Sequence, residues 1–302
     1  MFELTILGSS SATPTSSRNP TSQYLNFNER HFLIDCGEGT QARIRQNKIR
    51  LNKIKHILIS HLHGDHYFGL IGLLSSLHLL DTNHEINLYC TPALKEIIDL
   101  QFKHSDTRLK YPLIYHFYNP KEKAIIFEDD KLTVTTIPLK HRVACCGFLF
   151  KEKDRQRTLK KKLIEVYNLS PHDIVHIKNG GNFIDETGRE ICNELLTNPP
   201  AAARSYAYCS DTIFDPNIVE QIANVNLLYH ESTFLEDKKS RAKETFHSTA
   251  IQAATIAQMA NAKQLLLGHF SARYKLLEDF KTQAKTVFDN CELAIEGTTF
   301  KL

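Results

Sequence analysis

The sequence predicts an α/β fold. Three observations carry this expectation: short strand-like runs alternate with helix-like runs through the first third, the same alternation returns in the last third, and the 302-residue chain has an ordinary globular composition, 42% hydrophobic and 24% charged. A length of 302 residues accommodates one large domain or two.

In chain order, Leu4 to Leu7, Gln23 to Phe27 and His31 to Ile34 read as strands, and Thr40 to Gln46 as a helix. Ile54 to Ile59 is a continuous apolar run, expected as a buried strand. A polar loop and an apolar helix from Phe68 to Leu80 follow, then strand Ile86 to Cys90 and helix Ala93 to Phe102. Ile114 to Phe150 is strand-rich, with alternation over Leu132 to Ile137 and a further strand through Gly147 to Phe150. From Lys151 to about Ala203 periodicity fades, leaving a short helix around Leu163 to Tyr167 and turn signals at Asn179-Gly180-Gly181, Thr187-Gly188 and Pro199-Pro200. This stretch is the candidate insertion. Regular alternation resumes with strand Tyr206 to Cys209, helix Ile218 to Ala223, strand Val225 to Tyr229, helix Ala250 to Met259, strand Leu265 to Leu267 and helix Leu276 to Phe288. In the last helix Leu276, Phe280, Ala284 and Phe288 form one apolar stripe.

Several function classes are disfavoured. The seven cysteines are odd in number and lack CxxC spacing, so neither a disulfide framework nor a cysteine zinc finger is expected, and adjacent Cys145 and Cys146 read as buried thiols rather than a redox pair. No run approaches the roughly 18 apolar residues of a membrane span, and Met1-Phe2-Glu3-Leu4 lacks the basic and apolar regions of a signal peptide, so the expectation is a cytoplasmic chain with no membrane partner. The net charge of +3 does not announce nucleic-acid binding. The fifteen histidines are the unusual supply.

They cluster. His61-Leu62-His63-Gly64-Asp65-His66 follows directly on the strand ending at Ile59-Ser60, so three imidazoles and a carboxylate leave one strand end. Histidine and aspartate without nearby cysteine suit zinc, iron or manganese, and two such ions could share a bridging hydroxide. One loop cannot complete two sites. Further candidates stand at other strand ends: His141 after Leu132 to Leu139, Asp211 after Tyr206 to Ser210, and His269 after Leu265 to Gly268. His84, His104, His116, His172 and His176 lack such company and read as solvated residues.

HxHxDH followed by a later His, an Asp and a final His resembles the metallo-β-lactamase superfamily. Further segments are similar to its ribonuclease Z family. These are Leu7-Gly8-Ser9-Ser10 with Pro14-Thr15 and Arg18-Asn19, Ile34-Asp35-Cys36-Gly37-Glu38-Gly39-Thr40-Gln41, His230-Glu231-Ser232-Thr233-Phe234, Phe246-His247-Ser248-Thr249, and Gly268-His269-Phe270-Ser271-Ala272-Arg273-Tyr274. The resemblance implies a single domain over 1–302, an αββα sandwich carrying an inserted protruding arm over about 151–200. It implies two Zn2+ per subunit, with Mn2+ or Fe2+ as alternatives. His61, His63 and His141 would hold one ion, Asp65, His66 and His269 the other, and Asp211 would bridge them. It also implies an endoribonuclease that acts on precursor tRNA as a homodimer, leaving a 3′-hydroxyl on the tRNA and a 5′-phosphate on the trailer. Other hydrolases of this fold, acting on a small phosphodiester, lactam or thioester, and a non-catalytic RNA-binding relative are the rival readings.

The chemistry of the matched segments agrees with phosphodiester hydrolysis. Ser248 or Thr249 can cap the helix from Ala250, and free amides at its positive end can hold a phosphate. Glu231, at a strand end, can orient an imidazole, and His247 is the natural proton donor to a leaving ribose oxygen. By the resemblance, Asp65 is both a metal ligand and the base for the attacking water, and Arg273 lies in an RNA-binding segment. Residues 151 to 162 contain seven cations and two anions; Lys151, Lys153, Arg155 and Arg157 recur at every second position, on one side if extended, where the family carries its tRNA-binding arm. The family's Gly-Pro-rich box is represented there only by Ser170-Pro171-His172-Asp173-Ile174-Val175-His176-Ile177-Lys178.

Overall fold

A computed structural model describes all residues, Met1–Leu302. The chain divides into two compact units: Met1–Glu128, Thr133–Phe150 and Ser205–Leu302 form the first, Asp129–Leu132 and Lys151–Arg204 the second.

Beside a short pair, Ser10–Ser11 with Phe270–Ser271, the first unit is built on two large sheets of fourteen strands in all. They are β1 (Phe2–Gly8), β2 (Ser22–Phe27), β3 (Arg30–Ile34), β4 (His56–Leu58), β5 (Ile86–Cys90), β6 (Leu113–Phe117), β7 (Ile125–Glu128), β8 (Leu132–Leu139), β9 (Cys145–Glu152), β10 (Ser205–Cys209), β11 (Leu227–Glu231), β12 (Leu265–Gly268), β13 (Cys291–Leu293) and β14 (Thr299–Lys301). One seven-stranded sheet runs β14-β1-β2-β3-β4-β5-β6 and the other β13-β12-β11-β10-β9-β8-β7. β3 to β6 are mutually parallel, as are β10 to β13. Such strands are covered on both faces, which is why β5, β10, β11 and β12 are buried at every position.

Helices cover the outer face of each sheet. Thr40–Gln46, Leu70–Leu79 and Pro92–His104 place Ile44, Leu73, Leu77, Leu94 and Ile98 against Leu33, Ile57 and Leu88. Ala250–Met259 and Glu278–Lys285 place Ala253, Ala257, Phe280 and Ala284 against Ala207, Leu228 and Leu265. The inner faces meet through aromatic rings: Phe32 packs edge-on to Phe150 at 5.3 Å and to Phe127 at 5.2 Å. The layering is therefore helix, sheet, sheet, helix. Parallel strands in such sheets present their carboxyl ends together, where ligands of α/β folds gather.

Some elements differ from expectation. The turn before β11 is a 3-10 helix, Pro216–Ile222, and β11 starts two residues late, ending on Glu231. The last helix begins only at Glu278, where Glu278 and Asp279 favour its positive end, so Leu276 falls outside it and is 80% exposed. Phe280 and Ala284 alone form the buried stripe. The three-residue strands β13 and β14 are too short to show a period.

The second unit has its own small core of Leu159, Leu169, Ile177, Ile191 and Leu196. It contains the helix Pro171–Lys178, unforeseen in the sequence, which starts at a Ser170–Asp173 capping box. A hairpin pairs Phe183–Ile184 with Glu190–Ile191. Its turn is held by Asp185, whose Oδ1 accepts from the amides of Thr187 at 2.9 Å and Arg189 at 3.0 Å. Glu152, with a side chain 3% exposed, accepts from Arg204 Nε at 2.9 Å and Arg155 Nε at 3.0 Å. Burial alone would raise this carboxyl, but the two arginines outweigh it and hold it down to about 2.

A pH prediction follows for this unit. Unfolded, Glu152 titrates near ~4.3; its folded value is lower, so its stabilisation is present above that pH and is lost as pH falls toward 2. Amide-exchange protection of residues 151–204, corrected for intrinsic rates, should fall between about pH 5 and 2, and Glu152→Gln should lower protection at neutral pH and flatten that acid dependence. An unaltered acid profile in Glu152→Gln would refute the assignment.

Candidate metal centre

Seven side chains leave the carboxyl ends of four strands and converge. His61, His63, Asp65 and His66 follow β4, with Asp65 and His66 on the first turn of the short helix Gly64–Tyr67. His141 follows β8, Asp211 follows β10 and His269 follows β12. Three overlapping groups result: His61, His63, His141 and Asp211; Asp65, His66 and His269; and Asp211, His247 and His269.

The distances define two nests. In the first, His63 Nδ1 lies 3.1 Å from both His61 Nε2 and His141 Nε2, and Asp211 Oδ2 lies 3.7 and 3.6 Å from those two Nε2 atoms. In the second, Asp65 Oδ2 is 3.5 Å from His66 Nε2 and 3.4 Å from His269 Nε2, while Asp211 Oδ1 is 3.1 and 3.2 Å from them. The single Asp211 carboxylate thus gives one oxygen to each nest. Tetrahedral ligands about 2.05 Å from an ion sit roughly 3.3 Å apart, so these spacings fit a divalent metal in each. His66 Nε2 is fully buried without a hydrogen-bond partner. Such an orphaned lone pair is what a metal ion would satisfy.

Hydrogen bonds at the far ring nitrogens aim the imidazoles. His66 Nδ1 donates to Asp35 Oδ2 at 2.7 Å, His61 Nδ1 to Ser60 Oγ at 3.0 Å, His269 Nδ1 to Thr233 Oγ1 at 3.0 Å, and His141 Nδ1 to the Phe246 carbonyl at 3.0 Å. Each thereby presents its Nε2 lone pair inward. Asp35, fully buried, also accepts from the Ser60 amide and hydroxyl at 2.7 and 2.8 Å and from Tyr208 Oη at 2.6 Å. Asp35, Phe246 and His269 all have positive φ, +56, +58 and +58°, a backbone strain of order 1–3 kcal/mol each that the surrounding contacts sustain. Burial holds His61 well below its ordinary pKa and lowers His63 and His141 as well, so the first nest offers neutral imidazoles. Burial disfavours charge on His66 too, but Asp211, Asp65 and Asp35 outweigh it and raise that group.

Beside the nests, His247 Nδ1 meets Glu231 Oε1 at 2.7 Å, and its ring lies 5.1 Å from His141 and 5.3 Å from His269. Glu231 is fully buried and also accepts from the amides of Thr212, Thr233 and Ser248 at 2.8, 3.2 and 3.1 Å. Burial works against the His247 cation, yet the Glu231 charge and hydrogen bond raise it to about 9. A cleft of about 680 Å³ opens over His63, Asp65, Asp211, His247 and His269.

The remaining sequence candidates are placed differently. Ser248 and Thr249 are completely buried. Thr249 does cap the helix, with Gln252 in a capping box, but the Ser248 amide goes to Glu231 and the Thr249 amide to Gln252 Oε1 at 3.0 Å. Those amides are consumed inside the protein, so the expected phosphate cradle is not formed by them. Arg273 lies exposed over the Phe234 ring at 5.0 Å. In the second unit Arg155 is committed to Glu152, and Arg157 Nε donates to Thr197 Oγ1 at 2.6 Å. Lys151 and Arg155 are exposed, and Lys153 and Arg157 half-buried. Cys145 and Cys146 are buried free thiols. Asp35, Ser60, Thr233 and the Phe246 carbonyl had no assigned role in the sequence, and only the three-dimensional arrangement reveals one.

Comparison with known proteins adds the following. Residues 2–158 match the family model described as Anti-Pycsar protein Apyc1. The chain is 44% identical over 301 residues to Ribonuclease Z of Bacteroides fragilis, covering 100% of this chain and 99% of that one. It is 46% identical to Ribonuclease Z of Cytophaga hutchinsonii, with 99% and 96% covered. Among solved structures it is similar to the short form of human tRNase Z, with TM-score 0.71, 25% identity, and 99% and 98% covered. The metallo-β-lactamase fold protein YhfI of Bacillus subtilis shares the fold at TM-score 0.69 and 18% identity, with 99% and 98% covered.

Asp35→Asn tests the aiming of His66. Asparagine tolerates the positive φ and keeps the shape while removing the charge, so metal affinity measured by chelator competition should fall about 10- to 100-fold. Unchanged affinity would show that Asp35 does not tune the centre.

Proposed function

The chain belongs to the ribonuclease Z family, a family of metal-dependent tRNA 3′-processing endoribonucleases, and from that premise we propose how its own residues perform the reaction. Relatives of that name match from end to end, whereas the Anti-Pycsar match ends at residue 158, before Asp211, Glu231, His247 and His269. The substrate is precursor tRNA, and the bond cut is a phosphodiester. The observation that carries the mechanism is the Asp211 carboxylate shared between two His/Asp nests, with the Glu231–His247 pair beside them.

In this reading His61, His63 and His141 would hold one divalent ion and Asp65, His66 and His269 the other, with Asp211 offering one carboxylate oxygen to each nest. Zn2+ suits the four-ligand His/Asp sets, with Mn2+ or Fe2+ as alternatives. Two bound ions would supply polarisation of the scissile phosphate and would lower the pKa of the attacking water toward neutrality. Asp65 accepts the proton that this water gives up as its oxygen bonds to phosphorus. His247, held as a cation by Glu231, donates its proton to the departing ribose O3′ as the P–O3′ bond breaks. The tRNA keeps a 3′-hydroxyl and the trailer carries the 5′-phosphate.

Residues of about 151–200, within the second unit, serve as a tRNA-binding arm, with Lys151, Lys153, Arg155 and Arg157 the candidate contacts. A homodimer is part of the same proposal. Phe68, Leu79, Ile97 and Leu100, on or beside helices Leu70–Leu79 and Pro92–His104, are exposed apolar residues that a second copy could cover. No helix is long and apolar enough to cross a membrane, and a cytoplasmic location is proposed.

Purified protein is expected to cut a precursor tRNA with a short trailer at one position and to stop when chelated. His63→Ala or Asp211→Ala should lose bound metal and activity together. His247→Ala should keep its metal while its rate falls about 10²- to 10⁴-fold; wild-type processing by that variant would overturn the acid assignment. Neutralising Lys151 and Lys153 should weaken tRNA binding and reduce the salt slope by roughly 2, whereas an unchanged slope would make them solvated surface.

A further inference from the structure

A second hollow, of about 400 Å³, adjoins the metal cleft. It is lined by Ile213, Phe214, Lys239, Lys243, His247 and Gln252, and His247 is the residue it shares with the cleft over the metal nests. We propose that this hollow binds the nucleoside whose O3′ leaves, the nucleotide immediately 5′ of the scissile phosphate. The proposal rests on the mechanism above, in which His247 is the acid.

The polarity of the displacement requires a nucleoside here. An in-line reaction places the attacking water and O3′ on opposite sides of phosphorus. In the proposed mechanism the attacking water would approach from between the nests, and the acid must stand within hydrogen-bond reach of O3′. The ribose bearing O3′ is therefore on the His247 side, and its base extends beyond His247. Ile213 and Phe214, both partly buried, offer an apolar wall with an aromatic face on which a base can stack. Gln252 has its carbonyl oxygen taken by the Thr249 amide at 3.0 Å, leaving its NH2 to donate to an acceptor on the base edge. The exposed Lys243 supplies positive charge for the next phosphate on the 5′ side, Lys239 being paired with Glu236 at 2.7 Å. The volume lies within the range of small-molecule sites, about 300–1,000 Å³. Stacking with one polar contact predicts dependence on the presence of a base more than on its identity.

The test is a double-substitution cycle between enzyme and RNA. Wild type and Phe214→Ala are compared on precursor RNA with either a normal or an abasic nucleotide immediately 5′ of the cut. Phe214→Ala should lower kcat/KM on the normal RNA about 5- to 150-fold, the abasic change should cost wild type a similar factor, and the two losses should not multiply. Phe214→Leu keeps the wall apolar without the ring and should give the same pattern with a smaller factor, covering the case in which the alanine variant folds poorly. Losses that multiply, or an abasic RNA cut as fast as the normal one by wild type, would overturn the subsite while leaving the proposed mechanism standing. Absence of any discrete cut by wild type would overturn both.

Discussion

The Asp211 carboxylate is 2% exposed and has imidazole nitrogens within 3.7 Å of both oxygens. Burying an unpaired carboxylate costs several kcal/mol, so the fold must bring compensating groups to this one place. It does so from three other strand ends: the loop after β4, His141 after β8 and His269 after β12. The parallel registers of β3 to β6 and β10 to β13 align the ends of β4, β10 and β12, and β8 brings His141 to the same place. The helix layers hold the sheets in that register by apolar burial well away from the ligands.

A second buried carboxylate ties the centre to its chemistry. Glu231 accepts from Thr212, next to Asp211; from Thr233, whose hydroxyl aims His269; and from His247. One residue therefore positions the bridging ligand's neighbour, a metal-facing histidine and the acid together. The left-handed backbone at Phe246 turns its carbonyl toward His141 and sets His247 directly after it. Ser248 and Thr249 belong to this same scaffold, which explains why their polar groups face inward.

Much of the centre was legible because its residue types are distinctive and lie at strand ends, which periodicity can locate. His61, His63, Asp65, His66, His141, Asp211 and His269 stand at such ends, and the structure brings them together; Glu231 and His247 stand out by their chemistry within segments that the resemblance marks. Asp35 and Thr233 escaped assignment because an acid or hydroxyl acquires its meaning only from the imidazole it faces across the fold. In the same way, a charge run shows Arg155 and Arg157 as cations but not the Glu152 and Thr197 acceptors that engage them. In the elements, long apolar runs fixed strands such as β5 and β12. The three-residue strands β13 and β14 and the capped helix Pro171–Lys178 carry too little pattern to be seen.

The central claim is that one carboxylate joins two metal nests. Anomalous diffraction from zinc-loaded crystals tests it most directly. The account predicts two peaks per chain, about 3.5–4 Å apart, one among His61, His63 and His141, the other among Asp65, His66 and His269, with Asp211 between them. A single peak, or peaks that Asp211 does not contact, would contradict it.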